Sequence, residues 1–391
     1  MRFAGRMNSV HRSYIREILK VTARPEVISF AGGLPNPASF PVQQLAEAAA
    51  EEMAQSGPQA LQYSTTEGYL PLREWIADRY AKQGMTVSAD EILITGGSQQ
   101  ALDILAKAML DEGDTVLMER PGYLGAIQCF SMYGVKFSPL ELAAGGVDTD
   151  ALEKALAEGS PKLFYAVPSF QNPSGISYDA ETRRRTAELI AASDCLLVED
   201  NPYGELRFMG EKLPPVKAYM NGAPSVLLGS FSKVVAPGLR LGWVCAPAAL
   251  MEKLVTVKQA SDLHTPTFNQ RVLYRYLTQN DVNSHIASIC EQYGRHRDVM
   301  VQAIQEHFPQ QVQYTEPEGG MFLWCTLPEG CDSEEIFKRA IERNVAFVPG
   351  RPFYVDGTTN TFRLNYSNAS EDTIREGISR LGSCLREALS E

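Results

Sequence analysis

The chain has 391 residues, 36 of them Lys or Arg and 47 Asp or Glu, for a formal net charge of −11. A hydrophobic share of 44% against 21% charged excludes a disordered chain, and at roughly 100–200 residues per domain the length predicts two or three domains. The acid excess argues against a nucleic-acid groove or an anionic membrane surface as partner, since both reward clustered Lys and Arg. A small anionic ligand stays open, because local cations decide that.

The N-terminal stretch MRFAGRMNSVHRSYIREILK interleaves charges where a signal peptide needs an apolar core. The Gly/Pro-rich SFAGGLPNPASFP that follows predicts an extended arm rather than a helix. From about residue 90, short apolar runs alternate with helical patterns. EILITGG (91–97) predicts a strand, and SQQALDILAKAML then repeats Leu102, Leu105 and Met109 at helical spacing. TVLMER (115–120), KLFYAVP (162–168), CLLVEDN (195–201), SVLLGSFS (225–232) and LGWVCAP (241–247) are further strands. Continuous apolar runs with helices between them mark strands buried on both faces, which predicts a doubly wound, mostly parallel α/β sheet.

Near residue 266 the pattern changes. A long helical stretch over about 267–307 leads to MFLWCTL, SEEIFKRAIERN, VAFVPG and TFRLNYS, an alternation of short strands and helices. The last helix carries Ile374, Ile378, Leu381, Leu385 and Leu389 on one stripe, an amphipathic face for a smaller sheet. The expected organisation is an arm (1–40), a large α/β domain (41–270) and a small C-terminal α+β domain (271–391), linked by a long helix. No apolar run approaches the ~20 residues of a membrane span. The seven cysteines are scattered, odd in number and free of CxxC pairs, so a reducing cytoplasm fits better than a disulfide framework or a zinc knuckle. The five histidines form no HExxH, and no metal is expected.

In open α/β sheets, ligands sit beyond the carboxyl ends of the strands. After EILIT come Gly96-Gly97-Ser98-Gln99 at a helix start, and after KLFYAVP comes Ser169-Phe170-Gln171-Asn172-Pro173-Ser174-Gly175. After CLLV comes Glu199-Asp200-Asn201-Pro202-Tyr203. After SVLLG comes Ser230-Phe231-Ser232-Lys233, then Pro237-Gly238-Leu239-Arg240. Singly each is ordinary: glycines often precede a helix, a lone Asp caps one, and a lone Lys is a solvated charge. Ser230-x-x-Lys233 also matches the SxxK of serine acyl-transferring enzymes, but their SDN and KTG companions are absent.

Jointly these residues describe a site for a phosphorylated pyridine aldehyde. A lysine in an enclosed, cation-flanked pocket is deprotonated enough to form a Schiff base. A carboxylate facing the ring nitrogen holds it protonated, and the ring then withdraws electrons from a substrate carbanion. Small hydroxyls, helix-start amides and one Arg neutralise the phosphate.

On those residues the sequence resembles the fold-type I pyridoxal-phosphate (PLP) aminotransferases of class I/II, over almost its whole length. The matching segments are ALQYSTTEGYLPLR (60–73), ITGGSQQALD (94–103), PGY (121–123), PSFQNPSG (168–175), VEDNPYGELRF (198–208), GSFSKVVAPGLRLGWV (229–244) and FRLNYS (362–367). More narrowly, SYIREILKVTARPEVISFAGGLPNPASFP (13–41) and SDLHTP (261–266) are similar to the subgroup of 2-aminoadipate, kynurenine and multisubstrate aminotransferases.

The resemblance implies a role for each matching residue. Lys233 would hold PLP as an imine and then shuttle a proton to and from the substrate. Asp200 would pair with the pyridinium nitrogen. Asn172 and Tyr203 would hydrogen-bond the ring's 3′ oxygen, and Tyr123 would stack on the ring. Ser98, Gln99, Ser230, Ser232 and Arg240 would hold the phosphate, and Tyr63 would reach the phosphate of the neighbouring subunit of a homodimer. Arg363 would grip the substrate α-carboxylate in a bidentate fork that Lys cannot supply. Asn172 and Gly33 would complete the substrate side, with Gly32 and Gly33 as hinges of a mobile arm. Arg16 matches a position that meets a distal carboxylate, although a solvated helix arginine beside Glu17 and Lys20 would look the same. One departure is Asn-Pro in EDNPY, where some relatives carry Asp-Ala; the spacing from Asp200 to Tyr203 is kept.

The implied activity is a ping-pong transamination in amino-acid metabolism. It runs from an L-amino acid (2-aminoadipate, aromatic or branched-chain) to a 2-oxo acid, 2-oxoglutarate by resemblance. One rival is another PLP reaction, such as β-elimination or decarboxylation; Arg363 counts against the latter. A second rival is the effector-binding part of a transcription factor. That would need a basic winged-helix module ahead of the domain, whereas the resemblance begins within the first fifteen residues, and the charge of −11 opposes DNA binding.

Overall fold

A computed structural model describes residues 1, 3–8, 18 and 24–390. After β1 (Ile28–Ser29), eight strands build one large sheet. They are β2 (Ile92–Thr95), β3 (Thr115–Arg120), β4 (Lys136–Ala143), β5 (Gly146–Val147), β6 (Leu163–Ala166), β7 (Leu196–Asp200), β8 (Ser225–Ser230) and β9 (Gly242–Cys245). Their order across the sheet is β2-β9-β8-β7-β6-β3-β4-β5. The run from β4 through β3, β6 and β7 to β8 is parallel, so the expected doubly wound α/β sheet is present.

Period-two alternation explains the apolar runs. Tyr165, Val198, Val226 and Leu228 pack on one face of the sheet, while Phe164, Ala166 and Leu197 pack in a second cluster on the other. Both faces are covered, so β2, β6, β7 and β8 are buried at every position. Such strands have no polar face to betray a side, which is why they look uniformly apolar.

The structure departs from the sequence reading at three places. The strands β4 and β5 are additions to it: KFSPLELA carries a proline and buries only Leu140, as an outlying strand does. The strand β9 runs antiparallel to both β8 and β2. Residues 231–241 between β8 and β9 are too few for the helical crossover that a parallel return requires, so the chain doubles back. That short return keeps Ser230, Lys233 and Arg240 at one end of the sheet. Finally, the helical stretch over 267–307 is two helices, Thr267–Gln279 and Val282–His307; Asp281 caps the second by accepting from the Ser284 amide.

A second, antiparallel sheet has the order β10 (Gln313–Tyr314), β11 (Phe322–Thr326), β14 (Thr361–Asn365), β13 (Val348–Pro349). Beside it β1 pairs in parallel with β12 (Val345–Ala346), which ties the arm to the C-terminal part of the chain. The helix Glu371–Ala388 buries Ile374, Ile378, Leu381 and Leu385, with Leu389 half-buried at its cap. Register sets Arg363 directly opposite Trp324 on one side and Val348 on the other, so these three share one face. Among the described residues, no helix is long and apolar enough to cross a membrane.

Leu228 lies opposite Asp200 in the β7–β8 register and is fully buried. Leu228→Ala is expected to cost about 2–5 kcal/mol, measured as a lower denaturant midpoint. A midpoint equal to the parent's would contradict the central place of β8.

Candidate active site

The strand β7 delivers Asp200 to the end of the sheet, 2% exposed. One carboxylate oxygen, Oδ2, accepts from the Tyr165 hydroxyl at 2.8 Å; the other, Oδ1, is buried with no partner among the described residues. Burial pushes the carboxyl up to about 7, and the Tyr165 bond works against that rise. A buried acceptor left unpaired costs about 1–3 kcal/mol, more when it is charged, so Oδ1 calls for a donor from a ligand.

Lys233 lies in the return between β8 and β9. Its Nζ donates to the Gly33 carbonyl at 2.9 Å, which places the arm directly over the lysine. Burial first, then the charges of Arg363 and Arg240, lower its pKa to about 8.

A corner fit for an anion lies beside it. Gly97, with φ of 86°, precedes the helix Ser98–Met109, and no side chain caps that helix start. Its amides and dipole point outward, as a phosphate requires. Arg240 adopts left-handed φ and ψ of 52° and 48°, and its Nη2 donates to the Gly96 carbonyl at 3.1 Å. The positive φ favours glycine there, and a Cβ on Gly97, 2.6 Å from Arg240 Nη2, would push that guanidinium out of the corner. Ser230 and Ser232 are buried together, the Ser232 amide donating to Ser230 Oγ at 3.1 Å. Gln99 turns aside: its Nε2 donates to the Gly125 carbonyl, so its side chain braces the Tyr123 segment.

Tyr123 starts the helix Leu124–Ser131, and burial, then the nearby Asp200, push its phenol up to about 12. Burial raises Tyr203 further, while the Asn172 side chain partly offsets this. A buried hub sets these groups. Glu119, at the end of β3, accepts from the Val167 amide at 3.0 Å, the Tyr178 hydroxyl at 2.7 Å and Gln171 Nε2 at 3.0 Å. The same Gln171 nitrogen donates to the Pro121 carbonyl at 2.6 Å. The segments carrying Tyr123 and Asn172 are thereby fastened to each other.

Arg363, 2% exposed, reaches the site from the second sheet. Its guanidinium lies 4.2 Å from the Phe322 ring centroid and 5.2 Å from that of Phe353. The Nη1 group donates to Asn172 Oδ1 at 2.6 Å and Nη2 to the Ala31 carbonyl at 2.8 Å, while the buried Nε has no partner among the described residues. A guanidinium has five donors, so enough remain for a carboxylate. Burial lowers its pKa to about 10, which leaves it cationic at neutral pH.

Most of the sequence-predicted residues therefore converge: Lys233, Asp200, Asn172, Tyr203, Tyr123, Ser98, Ser230, Ser232, Arg240, Arg363 and Gly33. Tyr63 stands apart, 78% exposed, with an edge contact to His264 at 5.9 Å. Arg16 lies outside the described residues. Sequence reasoning missed Tyr165, Glu119 and Gln171. A search beyond the strand ends passes over Tyr165, which lies inside β6; only strand alternation and register could have found it. A cavity of about 480 Å³, walled by Trp75, Phe231, Val234 and Trp243, shares Ser230 with the site but has none of Asp200, Lys233 or Arg363 in its lining.

Residues 25–381 match the family Aminotransferase class I and II. The aromatic-amino-acid aminotransferase 1 of Thermococcus litoralis is 41% identical, over 100% of this chain and 95% of that protein. The crystal structure of LysN, an alpha-aminoadipate aminotransferase from Thermus thermophilus complexed with N-(5′-phosphopyridoxyl)-L-leucine, matches with a TM-score of 0.93 at 42% identity. It covers 99% of this chain and 98% of its own. The kynurenine aminotransferase of Pyrococcus horikoshii, in complex with PMP, gives a TM-score of 0.95 at 40% identity, over 99% and 97% of the two chains. The donor set fits the cofactor of this family, PLP: an orphaned carboxylate oxygen suits the ring's N–H, and the glycine corner with Arg240 suits the phosphate.

A Lys233 pKa lowered to about 8 has a direct consequence, because the reactive free amine forms as pH rises through that value. Competitive acetylation of the cofactor-free chain should modify Lys233 with an inflection near pH 8; an inflection at the ordinary 10.5 would contradict the described enclosure. The chain belongs to the class I and II aminotransferases and is a PLP-dependent amino-acid aminotransferase.

Proposed function

We propose that this enzyme moves the amino group of an aromatic, branched-chain or 2-aminoadipate-type L-amino acid to 2-oxoglutarate, in a ping-pong cycle and as a cytoplasmic homodimer. When bound, PLP supplies a protonated ring that draws off the negative charge left on the substrate's α-carbon. Lys233 Nζ, partly unprotonated near neutral pH, would take that carbon's proton and deliver it to the cofactor's carbon on the far side of the shared nitrogen. Asp200 Oδ1 accepts a hydrogen bond from the ring nitrogen. Tyr123 would stack on the ring, and Asn172 and Tyr203 would hydrogen-bond the 3′ oxygen. Ser98, Ser230, Ser232 and Arg240 would hold the phosphate, with Gln99 contributing its helix-start amide rather than its side chain. Arg363 holds the α-carboxylate, and the arm carbonyls of Ala31 and Gly33 fix Arg363 and Lys233 in place.

With domains at 41–270 and 271–391 and an arm at 1–40, the site spans all three: Lys233 and Asp200 belong to the first domain, Arg363 to the second, and Gly33 to the arm. Exposed Leu61, Tyr63 and Leu263 support a second copy as the neighbour that receives Tyr63 at its phosphate.

The observation that carries the donor class is the surface beside Arg363. Trp324 and Val348 share its sheet face, and they cluster with Ile18, Ala31, Leu124 and Phe353. A carboxylate held by Arg363 thus has apolar and aromatic neighbours, which suits a large apolar side chain. An acidic side chain needs a further cation, and Arg16 is assigned that part.

The test is a panel of amino donors against 2-oxoglutarate. Leucine, phenylalanine and 2-aminoadipate should each exceed aspartate in kcat/KM, and Arg363→Lys should lower all of them by about 10- to 100-fold, the worth of one charge-assisted hydrogen bond. In Arg16→Ala, 2-aminoadipate should lose more than leucine. A parent enzyme that prefers aspartate would overturn the proposed donor class.

A further inference from the structure

Among the described residues, Asp200 has one hydrogen-bonding side-chain partner, and it is not one that sequence reasoning supplied. Tyr165 lies on β6 opposite Val198 of β7, so strand alternation turns its side chain to the same face as Asp200, two residues further along. It is 1% exposed, and its ring meets Phe130 edge-on, with centroids 5.8 Å apart and planes at 79°. That packing holds the hydroxyl 2.8 Å from Oδ2 while Oδ1 stays unpaired.

We propose, given the cofactor role assigned to Asp200 above, that Tyr165 is a positioning residue for that carboxylate: its hydroxyl occupies Oδ2, leaves Oδ1 as the acceptor for the cofactor's ring nitrogen, and holds the carboxylate in its charged form. Two opposing effects act on Asp200. Burial favours the neutral acid, while a donated O–H favours the anion. Burial and the Asp200 charge raise the Tyr165 phenol so far that it remains a donor at any working pH. Without that donor burial prevails, the carboxyl turns neutral, and the ring nitrogen loses the partner that keeps it protonated. A phenylalanine would preserve the ring and its contact with Phe130, so the hydroxyl alone is under test.

The experiment compares the parent and Tyr165→Phe, each loaded with PLP carrying 15N in its ring and measured without amino substrate. The parent should give a ring-nitrogen NMR signal in the protonated range. In Tyr165→Phe the signal should move toward the unprotonated value, and cofactor affinity should fall about tenfold, on the scale of one charge-assisted hydrogen bond. The variant's kcat should fall with donor KM little changed, because Arg363 is untouched. Tyr165→His, which restores a donor, should bring the signal back toward the parent's and serves as the second variant if Tyr165→Phe does not fold. An unchanged signal and affinity in Tyr165→Phe would overturn the role of Tyr165. An unprotonated ring in the parent itself would instead remove the role of Asp200, and with it that of its partner.

Discussion

One half-satisfied carboxylate organises this molecule. Asp200 stands at the buried end of a central parallel strand with one oxygen bonded and the other without a donor. No fold places a charge there cheaply, and the surrounding architecture is what makes it tolerable. Packing on both faces of the sheet buries β7 completely, and among the described residues Tyr165 on the next strand supplies the one side-chain bond. The remaining oxygen is thus specific for a ligand that carries its own proton donor into a dry site. The short return from β8 to β9 then brings a lysine and an arginine to the same end of the sheet. The phosphate corner, the lysine and the ring's partner are therefore consequences of one strand order.

The bulk charge of −11 and the local charge of the site have opposite signs. Arg240 from the β8–β9 return and Arg363 from the second sheet converge on Lys233, and burial together with their charges lowers the lysine's pKa. These same cations are the ones proposed to meet a phosphorylated cofactor and a carboxylate substrate. One arrangement therefore serves binding and reactivity together, because the charges that attract the anions also free the amine. The net charge is a bulk property, and the binding of small anions falls to these three cations.

Much of this was legible in the residues themselves. Apolar runs punctuated by Gly, Ser, Asp and Lys reveal both the buried sheet and the end of it where ligands sit, because backbone burial and ligand chemistry impose different residue types. Antiparallel β9 was not legible in its own composition, since a strand covered on both faces looks the same in either direction. The outlying β4 hid for the opposite reason: with only Leu140 buried, it has no apolar run. Tyr165, Glu119 and Gln171 were missed because their roles follow from neighbours across the sheet, and register is invisible in one sequence. Tyr63 was found by resemblance alone. Its exposed ring carries no sign of function until a second copy is considered.

The measurement that bears most directly on the strand-end constellation is the identity of the residue that carries the cofactor. Borohydride reduction of the PLP-loaded enzyme, followed by peptide mapping, should place the pyridoxyl mass on Lys233 and abolish it in Lys233→Ala. Finding that mass on another lysine, or retained in Lys233→Ala, would contradict the assignment of the site to the return between β8 and β9.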